Sequence, residues 1–155
     1  MEKVSVDERD RRMGPASVKK PLADALGAEG VAVNYYELAP GESFAFGYHR
    51  HPDQEEVFYV VAGTATFETE TGEVTVGPDE AVRFAPGEWQ QGRNGGDDRV
   101  VALALGAPKE AGETEMIRAC SDCGGRTEHA IEMADDREAL VTRCCSCGEI
   151  TARFE

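Results

Sequence analysis

Two histidines, His49 and His51, and two adjacent carboxylates, Glu55 and Glu56, are the residues of this 155-residue chain best suited to hold a transition metal. They lie in PGESFAFGYHRHPDQEEVFYVVAG, residues 40–63, an alternating, aromatic-rich run. Side chains of a strand switch faces at every residue, so both imidazoles leave the same face. A carboxylate at the start of the next apolar run can then reach the same point. Once that strand has begun, Glu55 is directed to the opposite face as a solvated charge, which leaves Glu56 as the ligand. The alternative is a pair of partly exposed strand histidines that bind nothing.

A second constellation occupies the end of the chain. All five cysteines follow residue 119, and four of them form Cys120-x2-Cys123-x20-Cys144-x2-Cys147. Two such knuckles supply two thiolates each to a tetrahedral zinc ion, and Gly124 and Gly148 follow them where the backbone must turn tightly. A segment of ~40 residues seldom holds together without a metal or disulfides. Structural zinc offers ~10 to 16 kcal/mol of apparent stabilisation. Four thiolates leave no open position, so the expected role is structural; disulfides or a redox pair are the alternative reading. Cys145 is a spare thiol, and His129 is expected on the surface of a strand.

These groups must be positioned by short strands. After Gly30, VAVNYYEL reads as one; others fall near residues 43–51, 57–61, 64–68, 74–76, 81–84 and 99–105, with turn signals at Pro40-Gly41, Thr71-Gly72 and Asn94-Gly95. Residues 126–132, 140–143 and 150–154 read as strands of the tail. Residues 21–27, framed by proline and glycine, predict one or two helical turns, and residues 1–12 an arm or edge segment. Many short strands without intervening helices predict an all-β closed or double-sheet fold of jelly-roll type. On the histidine strand, Ser43, Ala45 and Gly47 share the ligand face and leave room for a cavity. Phe44, Phe46 and Tyr48 share the other face, which the amino-terminal segment or a second subunit must cover; this predicts a homodimer.

Gly41 with His49-x-His51-x4-Glu56-x6-Gly63 resembles the first motif of the cupin superfamily, in which both histidines and the glutamate bind a metal. The family's leading glycine stands six residues before the first histidine; here Gly41 stands eight before it and Ser43 occupies the family position. The second family motif, Gly-x5-Pro-x-Gly-x2-His-x3-Asn, aligns on Gly87 and Asn94. That places Asp79 at the leading glycine, Ala85 at the proline and Gln90 at the histidine that supplies the fourth ligand. An amide oxygen is a weaker ligand than imidazole, so the resemblance implies three strong ligands, His49, His51 and Glu56, with Gln90 as a weak fourth. The tail is similar to a zinc ribbon. Together the resemblances imply a cupin-type double-stranded β-helix followed by a small zinc-ribbon β module: residues 1–30 as arm and edge, 31–111 as barrel, 112–155 as ribbon. They imply structural zinc in the ribbon and divalent Fe, Mn, Ni, Co or Zn in the barrel.

Composition narrows the function. Thirty acidic against sixteen basic residues give a net charge of −14 with only four lysines, the surface expected of a protein adapted to molar salt, where screening shortens the Debye length to ~3 Å. Stability that rises with salt is its measurable consequence. No run approaches the ~20 apolar residues of a membrane span. The charged start has no apolar signal region, which predicts a cytoplasmic protein. From Gly112 to Glu155, 10 acidic and 5 basic residues leave −5, which disfavours a nucleic-acid partner. Two functions remain open. One is a metal-dependent enzyme of dioxygenase or isomerase type acting on a polar small molecule. The other is a non-catalytic sensor, binding protein or interaction module with a degenerate metal site.

Overall fold

A computed structural model describes all 155 residues and contains thirteen strands and no helix. The strands are β1 (Val18–Pro21), β2 (Ala32–Leu38), β3 (Tyr48–Arg50), β4 (Glu55–Ala62), β5 (Ala65–Thr69), β6 (Gly72–Val76) and β7 (Ala81–Phe84). They continue as β8 (Gln90–Arg93), β9 (Val100–Ala107), β10 (Glu115–Cys120), β11 (Gly125–Met133), β12 (Leu140–Cys144) and β13 (Ile150–Phe154). All pairings are antiparallel and fall into two sheets, ordered β1-β2-β9-β4-β7 and β13-β12-β11-β10-β3-β8-β5-β6. The all-β jelly-roll expectation therefore holds.

Strand β9 shows why the sequence folds this way. Its run VVALALGA alternates buried and half-buried positions along its whole length, and it sits in the centre of the first sheet between β2 and β4. From the inner faces, Phe44, Phe58, Phe67 and Phe84 meet in an aromatic core; Phe67 stacks on Phe44 with centroids 5.7 Å apart and meets Phe58 at 5.0 Å. Burying one such ring contributes ~1.5 to 3 kcal/mol.

The second sheet runs from the barrel into the tail without a break in hydrogen bonding. Strand β10 pairs with β3 on one side and β11 on the other, so the cysteine segment is a lateral extension of the sheet that carries the histidines.

Several expectations need correction. The histidine strand is short: only Tyr48–Arg50 is strand, and residues 44–47 bend away after an isolated bridge from Ser43 to Arg93. The even alternation of faces therefore fails. Phe44 turns into the core, while Tyr48 stacks on Trp89 at 5.3 Å and Phe46 meets Phe154 edge-on at 5.1 Å. Phe46 and Tyr48 thus have ring partners within the chain, one of them in the tail. Residues 21–27, by contrast, make one helical turn as expected, closed by the Leu26 amide on the Leu22 carbonyl. Strands β8 and β10 were not expected at all, since QQGR and EMIRAC carry no clean period-two pattern. His129 is buried, at 5% exposure.

Asp79 explains a departure from the family pattern. Its φ is +63°, so the position still needs the left-handed backbone that glycine supplies elsewhere, and aspartate tolerates that conformation better than most residues. Gly92 is constrained differently. A Cβ there would press on Phe67 and lie 2.7 Å from Phe44 Cδ2. Gly92→Ala should therefore lower stability by ~1 to 3 kcal/mol through overpacking; calorimetry showing an unchanged thermal midpoint would contradict this account of the core.

Candidate functional site

Strand pairing brings the expected ligands together. On β3, His49 stands directly opposite Gln90 of β8 on one side and Met116 of β10 on the other, and directly paired residues share a face. Gly47, just before, must lack a side chain because a Cβ would lie 2.8 Å from Arg118 Cγ and 2.9 Å from the Ile117 carbonyl. Glu56 arrives from β4 in the other sheet. His49 Nε2 lies 3.8 Å and His51 Nε2 3.4 Å from the same Glu56 oxygen, Oε2.

The outer nitrogens set the orientation of both rings. His49 Nδ1 is 2.9 Å from the Gly47 carbonyl, which can only accept, so Nδ1 carries the proton and the Nε2 lone pair faces the site. His51 Nδ1 is 2.8 Å from Thr114 Oγ1. Hydrogen bonds of this kind to the outer nitrogen fix metal-binding imidazoles. Burial raises the Glu56 carboxyl pKa, but the two imidazoles beside it outweigh that and hold it at about 2; in the metal-free protein protons shared with the rings do this, and an ion would take their place against an anionic donor.

Gln90 is buried beside these atoms. Its Nε2 donates to Glu56 Oε2 at 2.9 Å and lies 3.2 Å from His49 Nε2, while its Oε1 is buried without a partner. Rotating the amide by half a turn exchanges the two atoms and presents an oxygen to the donor set. The three converging donors and this orphaned oxygen fit a divalent ion. Glu55 faces away and pairs with Arg83, as expected, and Trp89 caps the outside of β3 under the Arg50 guanidinium.

The cysteine cluster is equally well formed. Cys120, Cys123, Cys144 and Cys147 place their sulfurs within 4.8 Å of one another, with Cys120–Cys147 at 3.6 Å and Cys123–Cys144 at 3.8 Å. The edge of a tetrahedron with ~2.3 Å metal–sulfur bonds is ~3.8 Å. A disulfide needs ~2.05 Å, so the spacing fits a metal and not a bridge. Bonds from its thiol neighbours, Cys147 first, push Cys123 up to about 12, whereas the Thr127 hydroxyl and the Cys147 amide draw Cys144 down to about 5. Thiols this close cannot all ionise unless a cation shares their charge. Cys145 is outside the cluster, as expected.

The barrel ligands line a cavity of about 570 Å³. Its wall also includes Lys19 and Tyr36 from the first sheet and His129 and Cys145 from the tail. The sequence reading missed Thr114, Lys19 and His129. A rare lysine and the third histidine were visible signals, whereas nothing in the sequence marks Thr114.

Residues 34–106 match the family described as Cupin domain. No curated protein matches the chain. Among solved structures, the chain is similar to a sugar phosphate isomerase from a cupin superfamily of Silicibacter pomeroyi, at 23% identity over 96% of this chain and 91% of that one, with a TM-score of 0.62. It is also similar to the polyketide cyclase RemF of Streptomyces resistomycificus, at 22% identity over 79% and 89%, TM-score 0.64. A third is a predicted oxalate decarboxylase of Thermotoga maritima, at 18% over 68% and 98%, TM-score 0.57. At these identities the likeness shows the fold, a double-stranded β-helix.

Thr114→Val removes the hydroxyl that holds His51. Affinity for the barrel ion should fall ~10- to 100-fold in a chelator competition, with the cysteine-bound ion unaffected; unchanged affinity would show that Thr114 does not orient the ligand.

Proposed function

We propose that this protein, whose residues 34–106 carry a cupin domain, binds a divalent transition metal in its barrel and binds or transforms a polar small molecule there. One observation carries the reading: two imidazole nitrogens, each ring held by a hydrogen bond to its outer nitrogen, converge with a carboxylate oxygen on the wall of a cavity. His49, His51 and Glu56 are the ligands. Gln90 steadies Glu56 through its amide N–H or contributes its oxygen as a weak fourth donor. Two histidines and one carboxylate with open positions suit an ion that polarises a bound oxygen as a Lewis acid.

The similar structures carry three different activities in their names, an isomerase, a cyclase and a predicted decarboxylase, and one fold hosts many functions. The substrate class supported is a polar small molecule such as a sugar derivative or organic acid. A non-catalytic sensor or binding protein is the second reading, favoured by the amide at Gln90 where a fourth imidazole would complete the family set.

In residues 112–155 we assign Cys120, Cys123, Cys144 and Cys147 to a structural zinc ion of ribbon type. The sulfur spacing supports this, and a full thiolate set leaves no position for substrate. The ion would stabilise a segment whose own core is only Ala134, Ala139 and Val141.

Metal analysis of the purified chain tests both assignments. About two metals per chain are expected, one lost in His49→Ala and the other in Cys120→Ala. A single zinc that survives His49→Ala would remove the barrel site from the account.

A further inference from the structure

Two groups on the cavity wall play no part in holding either metal: one is an imidazole with an unpartnered nitrogen, the other an ammonium with no carboxylate partner. The first is His129. It is 5% exposed, its Nδ1 lies 2.8 Å from the Thr127 carbonyl, and its Nε2 is buried with no hydrogen-bond partner. The carbonyl only accepts, so Nδ1 holds the proton and Nε2 is a lone acceptor in need of a donor.

Its position follows from strand register. The β10–β11 ladder stops at Ile117↔Glu128, and His129 opens the β11–β12 ladder opposite Cys144. One rung further along β10 is Met116, the direct partner of His49. His129 thus stands in line with the metal ligands two strands away, ~10 Å at the usual strand spacing, where β10 and β11 part.

The second group is Lys19, on β1 in the opposite sheet. It pairs in register with Tyr36, its Nζ lies 5.5 Å from the centre of that ring, and its charge works against the rise that burial gives the Tyr36 hydroxyl. No carboxylate forms an ion pair with it, although the chain carries a net charge of −14. The other lysine on the wall, Lys109, is tied to Asp24 and the Ala28 carbonyl. The wall's second carboxylate, Glu128, is exposed.

We propose that the cavity takes a small hydroxylated oxyanion, a hydroxy acid or a hydroxylated phosphate ester, whose charge is met by Lys19 and whose hydroxyl donates to His129 Nε2. An ammonium without a counter-ion calls for an anion, and an orphaned acceptor calls for an O–H donor. The inference rests on reading the barrel as a small-molecule metal site and names what that site takes. It also gives the cysteine module a part in recognition, because the module's own strand supplies a ligand-contacting residue.

The test uses the zinc-loaded full chain with ¹⁵N-labelled histidine. Three histidines give three sets of ring signals, and His129→Gln identifies one of them. Malate is the hydroxy acid probe, glycerol 3-phosphate the phosphate ester, and succinate the analogue of malate without its hydroxyl. The expected result is a saturable shift of the His129 signals with malate or glycerol 3-phosphate, whichever carries the right anion. Binding should weaken about tenfold in Lys19→Met, the size of one charge-assisted hydrogen bond, and stay unchanged in Lys20→Met. If malate is the ligand that binds, succinate should be weaker by a similar factor. The proposal is overturned if neither hydroxylated probe moves His129 at ~10 mM, or if the affinity is the same in Lys19→Met. Failure of the metal reading is seen separately, as zinc leaving the His49 and His51 signals unmoved.

Discussion

His49 lies on a strand of one sheet with His51 just beyond its end, Glu56 lies on a strand of the other, and their convergence ties the two sheets together. Burial of an anion beside two imidazoles is costly unless a cation or donors share its charge. Every neighbouring feature serves that constraint. The Gly47 carbonyl and Thr114 hydroxyl hold the rings through their outer nitrogens, and Gln90 donates to the carboxylate. The aromatic core of Phe44, Phe58, Phe67 and Phe84 provides a rigid platform, packed so closely that Gly92 has no room for a methyl group.

The tail is integrated with this arrangement through β10. That strand takes Met116 to the side of His49 and then ends at Cys120, the first thiolate of the cysteine cluster. A metal held by the cysteine knuckles would therefore stiffen a strand that also flanks His49. Phe154 on Phe46, Arg126 over Tyr48 and Arg126 paired with Glu68 add contacts between tail and barrel. Aromatic residues of the histidine segment are met in this way from within the chain, Phe46 by Phe154 and Tyr48 by Trp89 and Arg126.

Both donor sets were legible in the sequence because ligand spacing is a local property. His-x-His on a strand and paired Cys-x2-Cys knuckles encode their own geometry. The strands with strong alternation, such as β9, were equally legible. Residues 43–47 were misread because period-two logic assumes a regular strand, and a bend there reverses which aromatic ring enters the core. His129 was misplaced because its burial is set by where β11 leaves β10 for β12, a choice made by long-range pairing. Thr114 lies in a connection that acquires its role only when β10 docks beside β3. Asp79 looked like a lost glycine, yet its backbone keeps the glycine conformation.

The central claim is that two chemically different metal sites coexist in one chain, one built of nitrogen and oxygen and one of sulfur. Zinc-edge absorption fine structure on protein stripped of metal and reloaded with excess zinc alone tests this most directly. The account predicts two shells of neighbours, nitrogen and oxygen at ~2.0 to 2.1 Å and sulfur at ~2.3 Å. A spectrum fitted by sulfur alone would contradict it.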